Sequence, residues 1–556
     1  MTRLAIRRLT AVLAVAALGA ACGEDGGPST LTPPTGLTVQ QLSLTSVRVS
    51  WTAAVGAETY VLERAAASDP GNFTTVSDTI TGTTYDDTGL TTGVTYSYRV
   101  AAEAGGSSSA FTAAIPITVG VAAATLSGNI TASRTLKKDT LYTLSGYVKV
   151  QNGATLTIEA GTRIIGDTVA LGSSLWILRG AKIVAIGTAA EPIVFTSARA
   201  VGNRKPGDWG GIIIIGNATI NRTGVATILT EGPAGVNENY AGGNNDADSS
   251  GVLKYVRVEF AGYDVTGAGQ ELNSISSYAL GSGTKYEYVQ VLAGLDDGFE
   301  FWGGAPQGRY LVSYESGDDH FDWTEGFRGK LQFLIAFQRE RLVPQTGAGI
   351  LSSDPRGFEA DGCENTLAGC TETADTTSVP FSNPTIANFT LVGSTISGFP
   401  ADGNGMVLRR GTGGWLHNGI VAAFKGIGCQ FRDPFTDSLR LRDTLNLTNM
   451  VFAENTGGNY DDPASTTRFC QATKFAADNH RTAATAASVL TSLATNSLDF
   501  TPPAGSLPTT GGSQVPLPAG RTANFFGGSM TNTTYVGAVD PAGPKWWQGW
   551  TAYAAN

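Results

Sequence analysis

Six carboxylates in two short runs are the residues of this sequence best placed to do chemistry. Leu295-Asp296-Asp297-Gly298-Phe299-Glu300-Phe301-Trp302 is followed by Gly317-Asp318-Asp319-His320-Phe321-Asp322-Trp323, and the acids recur at a constant offset of 22 residues: Asp296 to Asp318, Asp297 to Asp319, Glu300 to Asp322. If 22 residues make one coil of a stacked-strand fold, paired acids lie about 4.8 Å apart, one above the other. Two bare carboxylates at that separation repel by about 1 kcal/mol in water and by roughly 3–4 kcal/mol at an effective dielectric constant of 20. Three such pairs need compensation by a bound cation, an interleaved Arg or Lys, or protonation of one partner in each pair. Calcium suits the first route, because it takes six to eight oxygens at about 2.3–2.6 Å in flexible geometry. Asp296, Asp297, Glu300, Asp318, Asp319 and Asp322 are therefore candidate ligands for Ca2+ or another divalent ion. Arg328, Lys330, Arg339 and Arg341, in the following coil, are candidates for the second route. Salt-bridged structural acids, with Asp297-Gly298 as a strand-capping turn, are the alternative in which no ion is needed.

Aromatic residues interleave with these acids. Period-two placement puts Phe299 and Phe301 on one face of a strand and Glu300 on the other. Trp302 and Trp323, 21 residues apart and so read as one coil apart, are expected at the surface, where they and His320 are candidate ligand contacts. The sequence has only three histidines, His320, His417 and His480, and no Ser/His/Asp arrangement, zinc-ligand spacing or phosphate-binding loop. No catalytic residue is assigned.

The elements that would position the acids are strands. From about residue 121, short runs rich in Val, Ile, Leu and Phe recur without helical periodicity, as in Ala154-Thr155-Leu156-Thr157-Ile158, Ala181-Lys182-Ile183-Val184-Ala185 and Gly211-Ile212-Ile213-Ile214-Ile215. Asn152-Gly153-Ala154 and Arg179-Gly180-Ala181 open two matching units. Such self-similarity predicts a β-solenoid over residues 121–556, each coil burying its apolar face against its neighbours, with a loop-rich region from about 471. Residues 33–120 differ. Val47-Arg48-Val49-Ser50-Trp51, Tyr60-Val61-Leu62-Glu63-Arg64 and Tyr96-Ser97-Tyr98-Arg99-Val100 alternate with period two between turn residues, as in a β-sandwich.

The first residues read as an address. Arg3, Arg7 and Arg8 precede the apolar run 9–18 and the small residues Gly19-Ala20-Ala21 before Cys22, which marks 1–21 as an export signal. Residues 22–32 are polar and rich in Gly and Pro, as a tether should be. Removing the three arginines from 37 basic residues leaves 34 against 47 acidic ones, a formal charge of −13. That balance excludes nucleic acid as a partner, since phosphate binding needs a basic face. Beyond Cys22 there are four cysteines, Cys363, Cys370, Cys429 and Cys470. An even number in an exported chain predicts disulfides: a short loop closed by Cys363 and Cys370, and a bridge across coils from Cys429 to Cys470.

Three resemblances add to this reading. Gly19-Ala20-Ala21-Cys22 resembles the bacterial lipobox, which implies a diacylated Cys22 and an outer-membrane anchor; Gly19 stands where that pattern usually has Leu. Pro33-Pro34, Trp51 and Thr84-Tyr85-Asp86-Asp87-Thr88-Gly89-Leu90 before Tyr96-Ser97-Tyr98 resemble a fibronectin type III domain, with Trp51 and Tyr96 as core residues. Gly207-Asp208-Trp209-Gly210-Gly211-Ile212, the two acidic runs, Arg356-Gly357-Phe358-Glu359-Ala360-Asp361, Leu408-Arg409-Arg410-Gly411-Thr412-Gly413 and Trp546-Trp547-Gln548-Gly549-Trp550-Thr551 resemble bacterial surface lipoproteins with a right-handed parallel β-helix and mostly unassigned function. Asp319-His320 also resembles the Asp-His of pectate lyases, but the Arg-rich segment expected downstream is missing: Arg341-Leu342-Val343-Pro344 lacks its second arginine. The Gly-His-Gly and Arg-Ile-Lys motifs of polygalacturonases are absent. The expectation is an exported, lipid-anchored surface module that binds a glycan or another surface protein. A calcium-dependent polysaccharide lyase or glycoside hydrolase is the alternative, and a purely structural envelope protein a third.

Overall fold

The computed structural model describes residues 31–43, 45–120, 122–199, 202–264, 270–364, 366–370, 378–460, 478–511 and 517–553. The leader 1–21, Cys22 and Cys470 lie outside these residues. The chain divides into two compact units, 1–120 and 121–556.

The first unit is a β-sandwich. Strands Thr35–Ser43, Ser46–Thr52 and Thr84–Thr88 form one antiparallel sheet; Thr59–Ala66, between Thr74–Ile80 and Thr95–Ala104, forms the other. Alternation in Ser46–Thr52 buries Val47, Val49 and Trp51 against Tyr60, Leu62, Tyr98 and Val100. Trp51 meets Tyr60 edge-on at 5.3 Å. Tyr96 is only half-buried; its hydroxyl accepts the Thr91 N–H at 3.2 Å.

The second unit is a parallel β-helix. Among the described residues, one sheet stacks ten strands from Asn129–Ile130 to Gln430–Phe431, and a larger sheet stacks parallel strands from Ala122–Leu126 to Arg481–Ala483. The two matching units that open at Asn152 and Arg179 are vertical neighbours, with Val150 level with Ile177 and Leu156 with Ile183. Inward side chains of both sheets form one continuous core, from Leu126 to Phe452.

In the larger sheet the strands bend at a fixed level. Tyr255, Tyr288, Tyr310, Phe333, Asn388 and Asn418 occupy successive rungs there with φ between 49° and 62°. This left-handed conformation is costly for aromatic residues and better tolerated by asparagine. The aromatic rungs recover part of the cost by stacking, at 4.4, 4.4 and 5.0 Å between successive rings. The asparagine rungs do so through amide hydrogen bonds, Gln332 to Asn388 and Asn449 to Asn418. The C-terminal segment then covers the ladder: Trp550 lies edge-on to Tyr255 and Tyr288, and Trp546 packs on Tyr310. The terminal tryptophan motif is therefore a structural cover over the coils. No helix among the described residues is long and apolar enough to cross a membrane.

Candidate metal centre

The offset between the two acidic runs is one coil. Phe299 is level with Phe321, Glu300 with Asp322 and Phe301 with Trp323 in strands Phe299–Trp302 and Phe321–Thr324. Phe299 and Phe321 stack in the core at 5.1 Å between ring centres, so alternation turns Glu300 and Asp322 outward. Glu359 continues their column one coil further on, level with Asp322. A second column runs through the turn before these strands. Backbone hydrogen bonds from Ser274 to Asp297, Gly298 to Asp319 and His320 to Arg356 put Asn273, Asp297, Asp319 and Arg356 on successive rungs. Asp296 and Asp318 stand beside it, with the Asp318 N–H 3.4 Å from the Asp296 carbonyl oxygen. Gly298 permits this stacking: a Cβ there would lie 2.5 Å from Ser313 Oγ and 2.8 Å from the His320 carbonyl.

Together with Glu231 from a distant loop and Glu271 from the short strand Glu271–Leu272 just before Asn273, these acids wall a cleft of about 170 Å³ lined, among the described residues, by nine carboxylates and no other side chain. Three overlapping triads have oxygens within 4.8 Å of one another: Asp296/Asp297/Asp318, Asp297/Glu300/Asp322 and Asp319/Asp322/Glu359. Two oxygens bound to one calcium ion at about 2.4 Å cannot be more than about 4.8 Å apart, so each triad has the span of a shared ion. Asp322 is 9% exposed, yet its Oδ1 has no hydrogen-bond partner. The donor set is oxygen only, which fits a hard cation.

The hydrogen bonds fix the walls without neutralising them. Asp297 Oδ1 accepts the Asp319 N–H at 2.8 Å, and the Asp297 N–H donates to Asn273 Oδ1. Asn273 Nδ2 donates to Glu300 Oε2 at 2.6 Å. Ser316 Oγ–H ties the two turns by donating to the carbonyls of Asp296 and Asp319. Burial first, and then the neighbouring acids, push Asp296, Asp297 and Glu300 far above the usual carboxylate range. Asp318 and Asp319 are raised to about 7, mainly by burial and against the pull of Arg356. Glu359 is raised to about 8, again by burial first.

Compensation from protein cations is confined to one end. Arg356 takes the rung above Asp319 and pairs with it at 3.0 Å, and with Glu359 at 2.5 Å. Arg409 bonds Glu359 at 2.8 Å and Asp361 at 2.7 Å. None of the cations expected from the sequence lines the cleft. Arg328 pairs with Asp246, Lys330 donates to the Ala523 carbonyl, Arg341 donates to the carbonyls of Leu351 and Ser352, and the backbone N–H of Arg339 donates to Glu315. The reason is coil length: the next coil is longer, Phe321 is level with Phe358, and the rung above Asp319 is therefore Arg356.

The expected surface contacts are not at the surface. Trp323 is 0% exposed inside the core, edge-on to Phe358, and its Nε1–H donates to Thr412. Trp302 is 6% exposed, stacked on Tyr278 at 4.0 Å under Ile220, Tyr240 and Ala241. They are not vertical neighbours: Trp302 is level with Thr324, so Trp323 falls one position short of a full coil and faces the opposite way. His320 is buried, with Nδ1 2.7 Å from Ser313 Oγ, and burial pushes it down to about 3. None of the three is at the surface. Cys363 and Cys370 form a disulfide. Cys429 is buried, and its expected partner Cys470 lies outside the described residues.

Sequence spacing missed Glu231, Glu271, Glu359, Arg356 and Arg409. The motif Arg356-Gly357-Phe358-Glu359-Ala360-Asp361 did carry a signal, since its Phe-Glu-Ala-Asp repeats the Phe-Glu-Phe pattern at 299–301.

The family described as "Pectate-lyase like beta helix domain" matches residues 128–496, and the fibronectin type III family matches residues 32–118. No curated protein matches. Among solved structures, an Fn3-like protein from Clostridium thermocellum is 34% identical over 16% of this chain and 92% of its own, with a TM-score of 0.15. Domains A168–A170 of titin are 26% identical over 16% of this chain and 32% of theirs, and the FN5 domain of Drosophila Lar is 24% identical over 16% of this chain and 98% of its own, each with a TM-score of 0.15.

Proposed function

The chain belongs to the pectate-lyase-like beta helix family, and from that premise we propose that it is an exported surface module whose acidic cleft holds calcium and presents it to a carboxylate-bearing glycan. The observation that carries this reading is the cleft lined by carboxylates alone, in which Asp296, Asp297 and Glu300 have no basic partner among the described residues. The first two triads take the ions; the third already has Arg356 and Arg409 as counter-charge. Carboxylate oxygens of this chain fill one side of each ion's shell, and glycan carboxylates and water complete the six to eight positions calcium takes. The export pattern at 1–22 and the Cys363–Cys370 disulfide, of a kind that persists in oxidising compartments, support a place outside the cytoplasm, with Cys22 as lipid anchor in the outer membrane and the fibronectin type III unit as spacer.

Calorimetric titration of chelator-stripped full chain with calcium tests the reading. More than one ion is expected per chain, and Asp296→Asn with Asp318→Asn removes the ion of the first triad while leaving that of the second. No heat and no rise in melting temperature at millimolar calcium would end it. A glycan array with and without chelator then identifies the ligand.

Binding is favoured over lyase chemistry by the two arginines at the cleft. A lyase using either arginine as its base would need that arginine neutral, whereas the acids around Arg356 and Arg409 outweigh their burial and raise both above the ordinary arginine value. One observation supports a depolymerising enzyme as second reading: Asp318 and Asp319 sit near 7, where a carboxylic acid can donate a proton. Cleavage of an acidic or neutral polysaccharide that Asp318→Ala or Asp319→Ala removes would establish that reading.

A further inference from the structure

A second cleft, of about 470 Å³, opens where the C-terminal segment crosses the β-helix, and its character is the reverse of the first. Its lining includes Arg328, Lys330 and Arg521, with Asn383 and Thr385, and no carboxylate among the described residues. In a chain of formal charge −10, three cations facing one space with no acid among them need an explanation.

Arg328 is partly neutralised, pairing with Asp246 at 2.8 Å. Lys330 and Arg521 have no carboxylate partner among the described residues and bond only to neutral groups. The Lys330 ammonium donates to the Ala523 carbonyl, and Arg521 Nη1 donates to Asn383 Oδ1 at 2.8 Å while its guanidinium lies 5.4 Å from the centre of the Trp415 ring. These contacts hold the two heads in place without cancelling their charge. Both are half-buried, and each is disfavoured in its charged form: Lys330 by burial and then by Arg521, Arg521 by burial. A preorganised, partly desolvated pair of like charges is relieved by an anion, and charge-assisted hydrogen bonds to oxyanions are the strong ones.

We propose that this cleft binds an oxyanion, the carboxylate or sulfate group of an acidic saccharide, between Lys330 and Arg521. The site stands apart from the calcium reading and needs no metal. It is nonetheless within reach of the acidic cleft. Arg328 follows Asp322 closely in the chain, so their Cα atoms are at most about 20 Å apart, and one polyanionic chain can engage ions in the first cleft and cations in the second.

Calorimetric titration of the full chain in chelator, at low ionic strength, with galacturonate, inorganic sulfate and neutral galactose tests the proposal without involving calcium. Galacturonate or sulfate is expected to bind saturably and galactose not at all; which anion binds more tightly separates a uronate from a sulfate ester as the natural group. Lys330→Gln and Arg521→Gln are each expected to weaken binding by about tenfold or more, the loss of one charge-assisted bond. Because Arg521 also ties the C-terminal segment to Asn383, Arg521→Lys serves as the second variant: it keeps the charge and should retain most of the affinity. Anion binding absent from the wild type, or unchanged in both Gln variants, would overturn the site.

Discussion

The two ends of the carboxylate stack solve one electrostatic problem in opposite ways. At the Glu359 end, Arg356 is inserted as a rung and Arg409 reaches across, so Asp319, Glu359 and Asp361 each face a guanidinium. At the Asp296 end, the neighbours are Asn273, Glu231 and Glu271, which supply hydrogen bonds or more negative charge. Both ends share one fold, one strand register and one set of inward phenylalanines. The difference teaches that stacked acids are tolerated wherever a counter-charge is available, and that where the chain supplies none, protons or a bound cation must.

The largest test removes the internal counter-charge. Arg356→Gln leaves Asp319 buried and unpaired and Glu359 with Arg409 alone, and breaking such a buried pair costs about 3–5 kcal/mol. Denaturant unfolding in chelator should show that loss, and calcium should recover part of it by converting the third triad into a further ion site. An unchanged unfolding midpoint would mean the two ends do not differ. Isosteric neutralisation should next give opposite signs at the two ends. Asp297→Asn relieves repulsion and is expected to stabilise the chelated protein by about 1 kcal/mol, while weakening calcium binding. Glu359→Gln takes a partner from both arginines and is expected to destabilise by about 2 kcal/mol. The same sign at both positions, in thermal melts with chelator, would break the comparison.

The pH dependence follows in size. Asp318 and Asp319 lie near 7 and Glu359 near 8 when folded, above their unfolded values. The folded state therefore holds more protons, and stability present in acid is lost as pH rises through these values. Buried His320 and His417, pushed down to about 3 and about 4, act in the opposite sense, but only below their ordinary value of 6.5. Between pH 6.5 and 8 the melting temperature in chelator should therefore fall. With calcium, which binds the deprotonated acids, the fall should flatten or reverse. The smallest effect is expected at Asn273, whose amide orients Glu300 and whose carbonyl holds the Asp297 turn. Asn273→Ala should weaken calcium by roughly tenfold and lower chelated stability by about 1 kcal/mol for the lost hydrogen bonds.

Much of this architecture was legible in the chain. Period-two burial gave the sandwich of Val47, Val49 and Trp51, and the repeats opening at Asn152 and Arg179, like those of the two acidic runs, gave coils that stack in register. The pairing of Glu300 with Asp322 followed from spacing alone, because consecutive coils of equal length keep equal offsets. Phe299 and Phe301 fell inward for the same reason. The tryptophans show the limit of such counting. Trp302 lies on the outward face, where only the loop carrying Ile220 and Tyr240, far earlier in the chain, decides that it is covered. Trp323 lies inward, although its spacing from Trp302 looked like one coil.

What the sequence determined by itself, then, is the local ladder: which acids stack on which, and that Phe299 and Phe301 face the core, since strand alternation and coil length act between neighbours. What only the tertiary structure decided is the counter-charge and the enclosure. The coil after Asp322 is longer than the one before it and brings Arg356, in place of another acid, over Asp319, while Glu231 enters from a loop with no periodic relation to the stack. Electrostatic energy depends on distance through space, and an inserted loop changes that distance without leaving any mark in the repeat.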